Sequence, residues 1–191
     1  MPAVAVFTVT KDDTLIPINA VLHWGNGDPV ELSSYTVKFL TETEAGVSDL
    51  AATTTGVTAH PTQTFTASTT TDLLTCNGHG VKEGDQIIVA NSGGALPTGL
   101  SASTRYWAVN VTANAFGLAT LPDGPLIDIT GAGSGTNTFY IVGSVQMDLP
   151  AAAVDTAGTY RAWFTLTSGA ETKYMPEGDR WIELRVVEAG N

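Results

Sequence analysis

Cysteine is almost absent from this chain: one residue, Cys76, in 191. A single thiol excludes an intrachain disulfide, and no Cys-x-x-Cys pair exists to hold a metal. Beside Leu73 and Leu74, Cys76 reads as a small buried hydrophobe. Basic residues are scarce, 8 Lys and Arg against 19 Asp and Glu, for a formal net charge of −11. Nucleic-acid binding needs a basic footprint that displaces counterions, so that partner class is excluded. An anionic membrane surface repels such a chain as well. No apolar run is long enough to span a bilayer. Met1–Phe7 has no basic region ahead of an apolar core, so neither a signal peptide nor a transmembrane segment is expected.

The recurring motifs of catalysis are missing too. There is no Walker loop, no Gly-x-Ser-x-Gly, and no Gly-x-Gly-x-x-Gly opening a helix. His23, His60 and His79 are far apart and lack zinc spacing. Lys82-Glu83-Gly84-Asp85 and Asp123-Gly124 carry carboxylates without the Asp-x-Asp-x-Asp-Gly calcium loop. Asp12-Asp13 and Glu42/Glu44 are carboxylate pairs of the kind a glycosidase uses, and exposed hairpin positions account for them better. The expectation is no catalytic residue, no metal and no cofactor.

What is abundant is strand and turn material. Hydrophobic residues make up 43% of the chain and charged residues only 14%. Thr, Val, Gly and Ala dominate, and no helical period stands out. The low charge fits surface lost to neighbours in an assembly, and Thr-rich exposed strands fit it equally. Residues 4–10 read as a first strand or an extended arm. Thr14–Leu22 reads as a strand that Pro17 restricts to an edge or a bulge. Tyr35, Val37 and Phe39 alternate with Thr36 and Lys38. Residues 41–64 look like a connection, with a short strand near Val57.

From Phe65 to Ile141 the texture changes to short strands between Gly- and Asn-rich turns, at spacings of roughly 8–12 residues. The strands expected there are Thr64–Ala67, Leu73–Cys76, Gln86–Ala90, Tyr106–Val111, Ala115–Ala119, Leu126–Ile129 and Thr136–Ile141. Ser144–Leu149 then returns to alternation, and Thr172–Met175 and Trp181–Val187 are the last strands. The fold class is all-β: a sandwich of residues 1–61 plus 142–191, interrupted by a small β-barrel or sandwich of residues 62–141. Such insertions succeed where the two ends of the insert lie close together. The insert carries 2 basic and 5 acidic residues, net −3, which leaves 6 and 14 of the 8 and 19, net −8, for the rest.

The stretch Asp155-Thr156-Ala157-Gly158-Thr159-Tyr160 leads into the clearest strand. Tyr160, Ala162, Phe164 and Leu166 point one way; Arg161, Trp163 and Thr165 point the other. This Asp-x-x-Gly-x-Tyr resembles the tyrosine corner of immunoglobulin-like sandwiches, in which the Tyr hydroxyl returns to upstream backbone. Asp155, Gly158 and Tyr160 are its candidate members, with Gly158 supplying positive φ.

Two further resemblances follow. Asp13–Pro17, Asp28–Phe39, Asp155–Phe164 and Trp181–Val186, in that order, resemble the N-terminal domain family of phage baseplate upper proteins. That family is an immunoglobulin-like β-sandwich found in many tailed-phage structural proteins. The insert resembles a small β domain that recurs in phage tail and other virion proteins. The residues that carry this are Asn77–Val81, Gly84–Ile87, Leu96–Leu100, Tyr106–Asn110, Asn114–Ala119 and Ile127–Thr130. Cys76 departs from that pattern, where a small residue is usual. Neither resemblance implies catalytic residues.

Together they imply a non-enzymatic virion protein of a tailed bacteriophage. It would be made in the host cytoplasm and placed in the tail, baseplate or fibre-attachment region. Its partners would be other virion proteins and copies of itself. A capsid-surface decoration protein and a glycan-binding receptor module are the alternatives, with an enzyme a distant fourth. Trp24, Trp107, Trp163 and Trp181 would serve a glycan binder as stacking platforms, or fill cores and subunit contacts. Trp163, out of phase with the core row, and the arm residues Val4, Val6 and Phe7 are the candidate interface. In that reading the arm docks on a neighbour's sheet edge.

Overall fold

The structure is a computed structural model that describes residues 3, 5–12, 17–43, 50–53, 57–149 and 156–188. Its strands in chain order are β1 (Ala5–Thr10), β2 (Ile18–Val21), β3 (Thr36–Thr43), β4 (Leu50–Thr53), β5 (Val57–Ala59), β6 (Gln63–Ala67), β7 (Leu74–Thr75) and β8 (Gln86–Ser92). They continue with β9 (Arg105–Val109), β10 (Ala115–Ala119), β11 (Thr136–Ile141), β12 (Ser144–Met147), β13 (Gly158–Ser168), β14 (Glu171–Met175) and β15 (Ile182–Val187). Among the described residues the only helical piece is a 3₁₀ turn, Leu32–Ser34. The chain is all-β and falls into two compact units, residues 1–60 with 143–191, and residues 61–142.

The first unit is a sandwich. Its larger sheet runs β1-β15-β13-β3-β4, with β14 beside the far half of β13, and its smaller sheet runs β2-β12-β5. The core is where the alternating rows meet. Phe39 on β3 and Phe164 on β13 are direct cross-strand partners, with ring centroids 5.0 Å apart. Leu166, Leu184, Met147 and Val145 close around them, all fully buried. Each such side chain contributes about 1.5–3 kcal/mol relative to exposure. The strand phase read for β13 holds on the inner face. On the outer face Thr165 is buried as well. Lys38 on β3 and Tyr174 on β14 lie on either side of it in the ladder and cover it.

Residues 5–10 are not a free arm. β1 pairs in parallel with β15 of the same chain through six residues, Ala5 with Ile182 to Thr10 with Val187. Ala5, Phe7 and Val9 pack on the sandwich core, so alternation has already committed that side of the strand to its own sheet. β2 starts at Ile18, directly after Pro17, and is an edge strand. β4 lies in the stretch expected to be a connection, because its Ala- and Thr-rich sequence carries no alternation that marks a strand.

The second unit is a closed barrel of six strands in the order β10-β7-β6-β11-β8-β9. Phe116 and Phe139 meet edge to face at 5.0 Å in its core, with Ile87, Leu74 and Leu118 around them. The expected strand at Leu126–Ile129 is absent. That segment is extended, but Ile127 donates to the Leu118 carbonyl and Ile129 to the Asp72 carboxylate, so no ladder forms. In the sandwich, β5 and β12 are antiparallel neighbours, Ala59 opposite Val145. In the barrel, β6 and β11 are antiparallel neighbours, Gln63 opposite Phe139. Each unit therefore holds its own two chain crossings side by side, as an insertion requires.

Candidate functional site

The polar side chains of the barrel turns face their own backbone. Glu83 accepts from both Asn110 N and Val111 N, at 3.1 and 3.0 Å, one bond on each carboxylate oxygen. This clamps a loop whose Asn110 is held at φ 55°. Asp85 accepts from Lys82 N at 2.7 Å and closes the tight Lys82–Asp85 turn. Asp72 reaches Ile129 N at 2.9 Å, and Asn114 reaches Gly78 N at 3.2 Å. Bonds from N–H groups to carboxylates are the stronger kind and order loops that would otherwise be free. At Gly99 the backbone has φ +109°, and a Cβ would lie 2.5 Å from the Asp128 carbonyl oxygen, so only glycine fits.

His79 is the one histidine fully inside a unit. Its Nδ1 accepts from Val81 N at 2.9 Å, which places the ring proton on Nε2. Nε2 has no hydrogen-bond partner among the described residues, and the ring stands edge to face with Phe116 at 5.0 Å. His79 is thus a turn residue that also fills the barrel core. Cys76 is half-buried, and its Sγ donates to Gln63 Oε1 at 3.3 Å. Gln63 in turn donates from Nε2 to the His79 carbonyl at 3.0 Å. Burial pushes the Cys76 thiol up, away from the reactive thiolate. Among the described residues no three His, Cys, Asp or Glu side chains come together as a metal centre would need.

In the sandwich, the Tyr160 hydroxyl donates to the Thr156 carbonyl at 2.9 Å, and the ring is buried. Gly158 does not take the positive φ read for it. It is already the first residue of β13 and pairs with Val186 in extended conformation. A Cβ there would make only ordinary contact, 3.6 Å, with the Tyr160 ring. Asp155 lies outside the described residues, as does Val4.

The remaining interface candidates divide between two faces. Phe7 points into its own sandwich, a consequence of the β1–β15 pairing. Val6 is 51% exposed on the outer face of the larger sheet. Trp163 is half-buried on that same face, two strands away, and its Nε1 donates to the Arg180 carbonyl at 2.9 Å. Leu40 is its cross-strand partner on β3, and Tyr174, 55% exposed, lies opposite Thr165, the next residue of β13 on that face. Tyr174 was not singled out from sequence, although Thr172-Lys173-Tyr174 alternates. Two of the other three tryptophans are engaged. Trp24 meets Tyr35 edge to face at 6.5 Å and carries the Lys173 ammonium 4.8 Å from its ring centre. Trp181 lies under the Arg161 guanidinium, also at 4.8 Å, and Trp107 is half-buried on β9. A cation already over a ring competes with a sugar for that face.

Among the described residues no helix is long and apolar enough to cross a membrane. Compared with known proteins, the chain matches no family model, no curated protein and no solved structure.

Proposed function

We propose that this chain is a non-enzymatic structural protein of a tailed-phage virion, acting by assembly contacts in the tail, baseplate or fibre-attachment region. The sequence resemblances of both parts of the chain point that way. The observation that carries the reading is the use of polar residues in the barrel turns. Glu83, Asp85, Asn114 and His79 each accept a hydrogen bond from backbone N–H and hold a turn. Residues used in this way build a rigid, loop-ordered body and leave binding to faces and edges of the sheets. The outer face of the larger sheet, with Leu40, Trp163 and Tyr174, is the contact surface in this reading. Apolar and aromatic residues collected on one exposed face are the usual mark of a protein contact.

Purified particles of the phage that encodes the chain test the reading by mass spectrometry. The chain should be present at a copy number in integer ratio to a tail protein. Its absence from particles that are otherwise complete would contradict the proposal. Density for it on the shell rather than the tail would replace the tail role by capsid decoration.

A further inference from the structure

We infer that the outer edge of β1 is a dimerisation edge, which pairs antiparallel with β1 of a second copy of this chain with Thr8 on the two-fold axis. The phase of the strand comes from one hydrogen bond. Lys11 N donates to the Val187 carbonyl at 2.7 Å, so residue 11 and the residues in step with it, 9, 7 and 5, turn their backbone groups to β15. Val6, Thr8 and Thr10 then turn their N–H and C=O groups the other way. β1 ends the sheet, and no strand among the described residues meets those groups.

The other edges of this unit carry the devices that keep strands apart. β2 is preceded by Pro17, β5 has three residues, and β14 carries Glu171 and Lys173. β4 meets β3 through a register shift. β1 has none of them: six residues without charge or proline, in register with β15 throughout.

A second copy fits this edge because the strand is complementary to itself. Directly opposed residues of an antiparallel pair share a face. With Thr8 opposite Thr8, Val6 falls opposite Thr10 on the outer face and Phe7 opposite Val9 on the inner one. The Thr8 pair and the two Val6–Thr10 pairs each exchange two N–H···O bonds, about six in all. Moving the axis to Phe7 leaves only the two Val6–Thr8 pairs among the described residues, about four bonds. Electrostatics select the same place. Copies of net charge −11 repel one another, so a contact between them belongs where charge is absent. The nearest charge along the strand itself, Lys11, is held by Glu188 at 3.7 Å and falls opposite Ala5 of the other copy, and on β15 behind it Arg185, beside Thr8, is paired with Glu183.

The inference does not rest on the virion reading, since the test needs only the purified full chain. Light scattering over a wide concentration range at physiological salt should show a mass approaching twice 19.8 kDa. Thr8→Pro removes an outward N–H and keeps the β15 ladder; Thr8→Lys sets two ammonium groups on the axis. Both variants should be monomeric, with the melting temperature of the wild-type chain diluted to where it is monomeric. With Cys76→Ser as background, oxidised Thr8→Cys should crosslink two copies, because opposed Cα atoms about 5.5 Å apart suit a disulfide. Val6→Cys, off the axis, should not crosslink. A wild-type chain that is monomeric throughout, a dimer that survives both Thr8 substitutions, or equal crosslinking at Val6 and Thr8 overturns the inference. If Thr8→Pro fails to fold, Thr8→Lys and the crosslink decide it.

Discussion

Replacing Tyr160 by Phe deletes one hydroxyl and leaves the ring. That hydroxyl donates to the Thr156 carbonyl at 2.9 Å from a side chain only 7% exposed. A hydrogen bond of this kind contributes about 0.5–1.5 kcal/mol net, and an acceptor stranded in the core adds more. Thr156 is itself exposed, so water can reach its carbonyl once the hydroxyl is gone. The expected loss is therefore about 1 kcal/mol. It belongs to the sandwich, which has 60 residues from one segment and 49 from the other. For a body of this size 1 kcal/mol moves the melting temperature by about 4–8 °C. Calorimetry of the full chain reads both units in one experiment. The sandwich transition should fall by roughly that amount, and the barrel transition should stay where it is. An unchanged sandwich transition would show that the hydroxyl does not anchor the β13 turn. A shift in the barrel transition alone would mean that the two bodies are not thermally separate.

Glu83→Ala should lower the barrel transition and spare the sandwich, because it removes the acceptor for Asn110 N and Val111 N. At this exposed position the cost is about 1 kcal/mol, and Glu83→Gln, which keeps one acceptor oxygen, should lose about half of it. Urea titration followed by Trp107 fluorescence checks both, and equal loss in the two variants would refute the two-oxygen clamp. Burial raises the Cys76 thiol above its ordinary value of 9.0. The folded chain thus holds that proton longer than the unfolded one. The associated stability is fully present below pH 9 and is lost as pH rises through the raised value. Alkylation of Cys76 at pH 8 should be slower in the folded chain than in urea, and equal rates would remove the burial argument.

Much of the fold was legible because alternation in half-buried strands is a direct record of which side faces the core. Tyr160, Ala162, Phe164 and Leu166 carried it in β13, and Val145, Met147 and Leu149 in the segment of β12. The change of texture read from Phe65 to Ile141 lies within the compact unit of residues 61–142. What sequence did not show depends on partners distant in the chain. Residues 5–10 look the same whether they dock on a neighbour or on β15, since alternation does not name the strand across the ladder. Leu126–Ile129 has strand-like residues, but the Asp72 carboxylate takes the Ile129 N–H that a ladder would have used. The hydrogen bonds of Glu83 and Asp72 link residues 27 to 57 positions apart, and no local spacing predicts them.

The most direct measurement takes the two bodies apart. The barrel, residues 61–142, is expressed alone, and the sandwich is closed by joining His60 to Ser144 through Asn-Gly, which keeps Ala59 opposite Val145 and turns β5 and β12 into a hairpin. If the barrel is a body carried on that hairpin, each piece gives a β-type circular dichroism spectrum and one cooperative melt. Each melt should also match the corresponding transition of the full chain. A barrel fragment that stays unfolded, or a closed sandwich that loses its transition, would contradict the account.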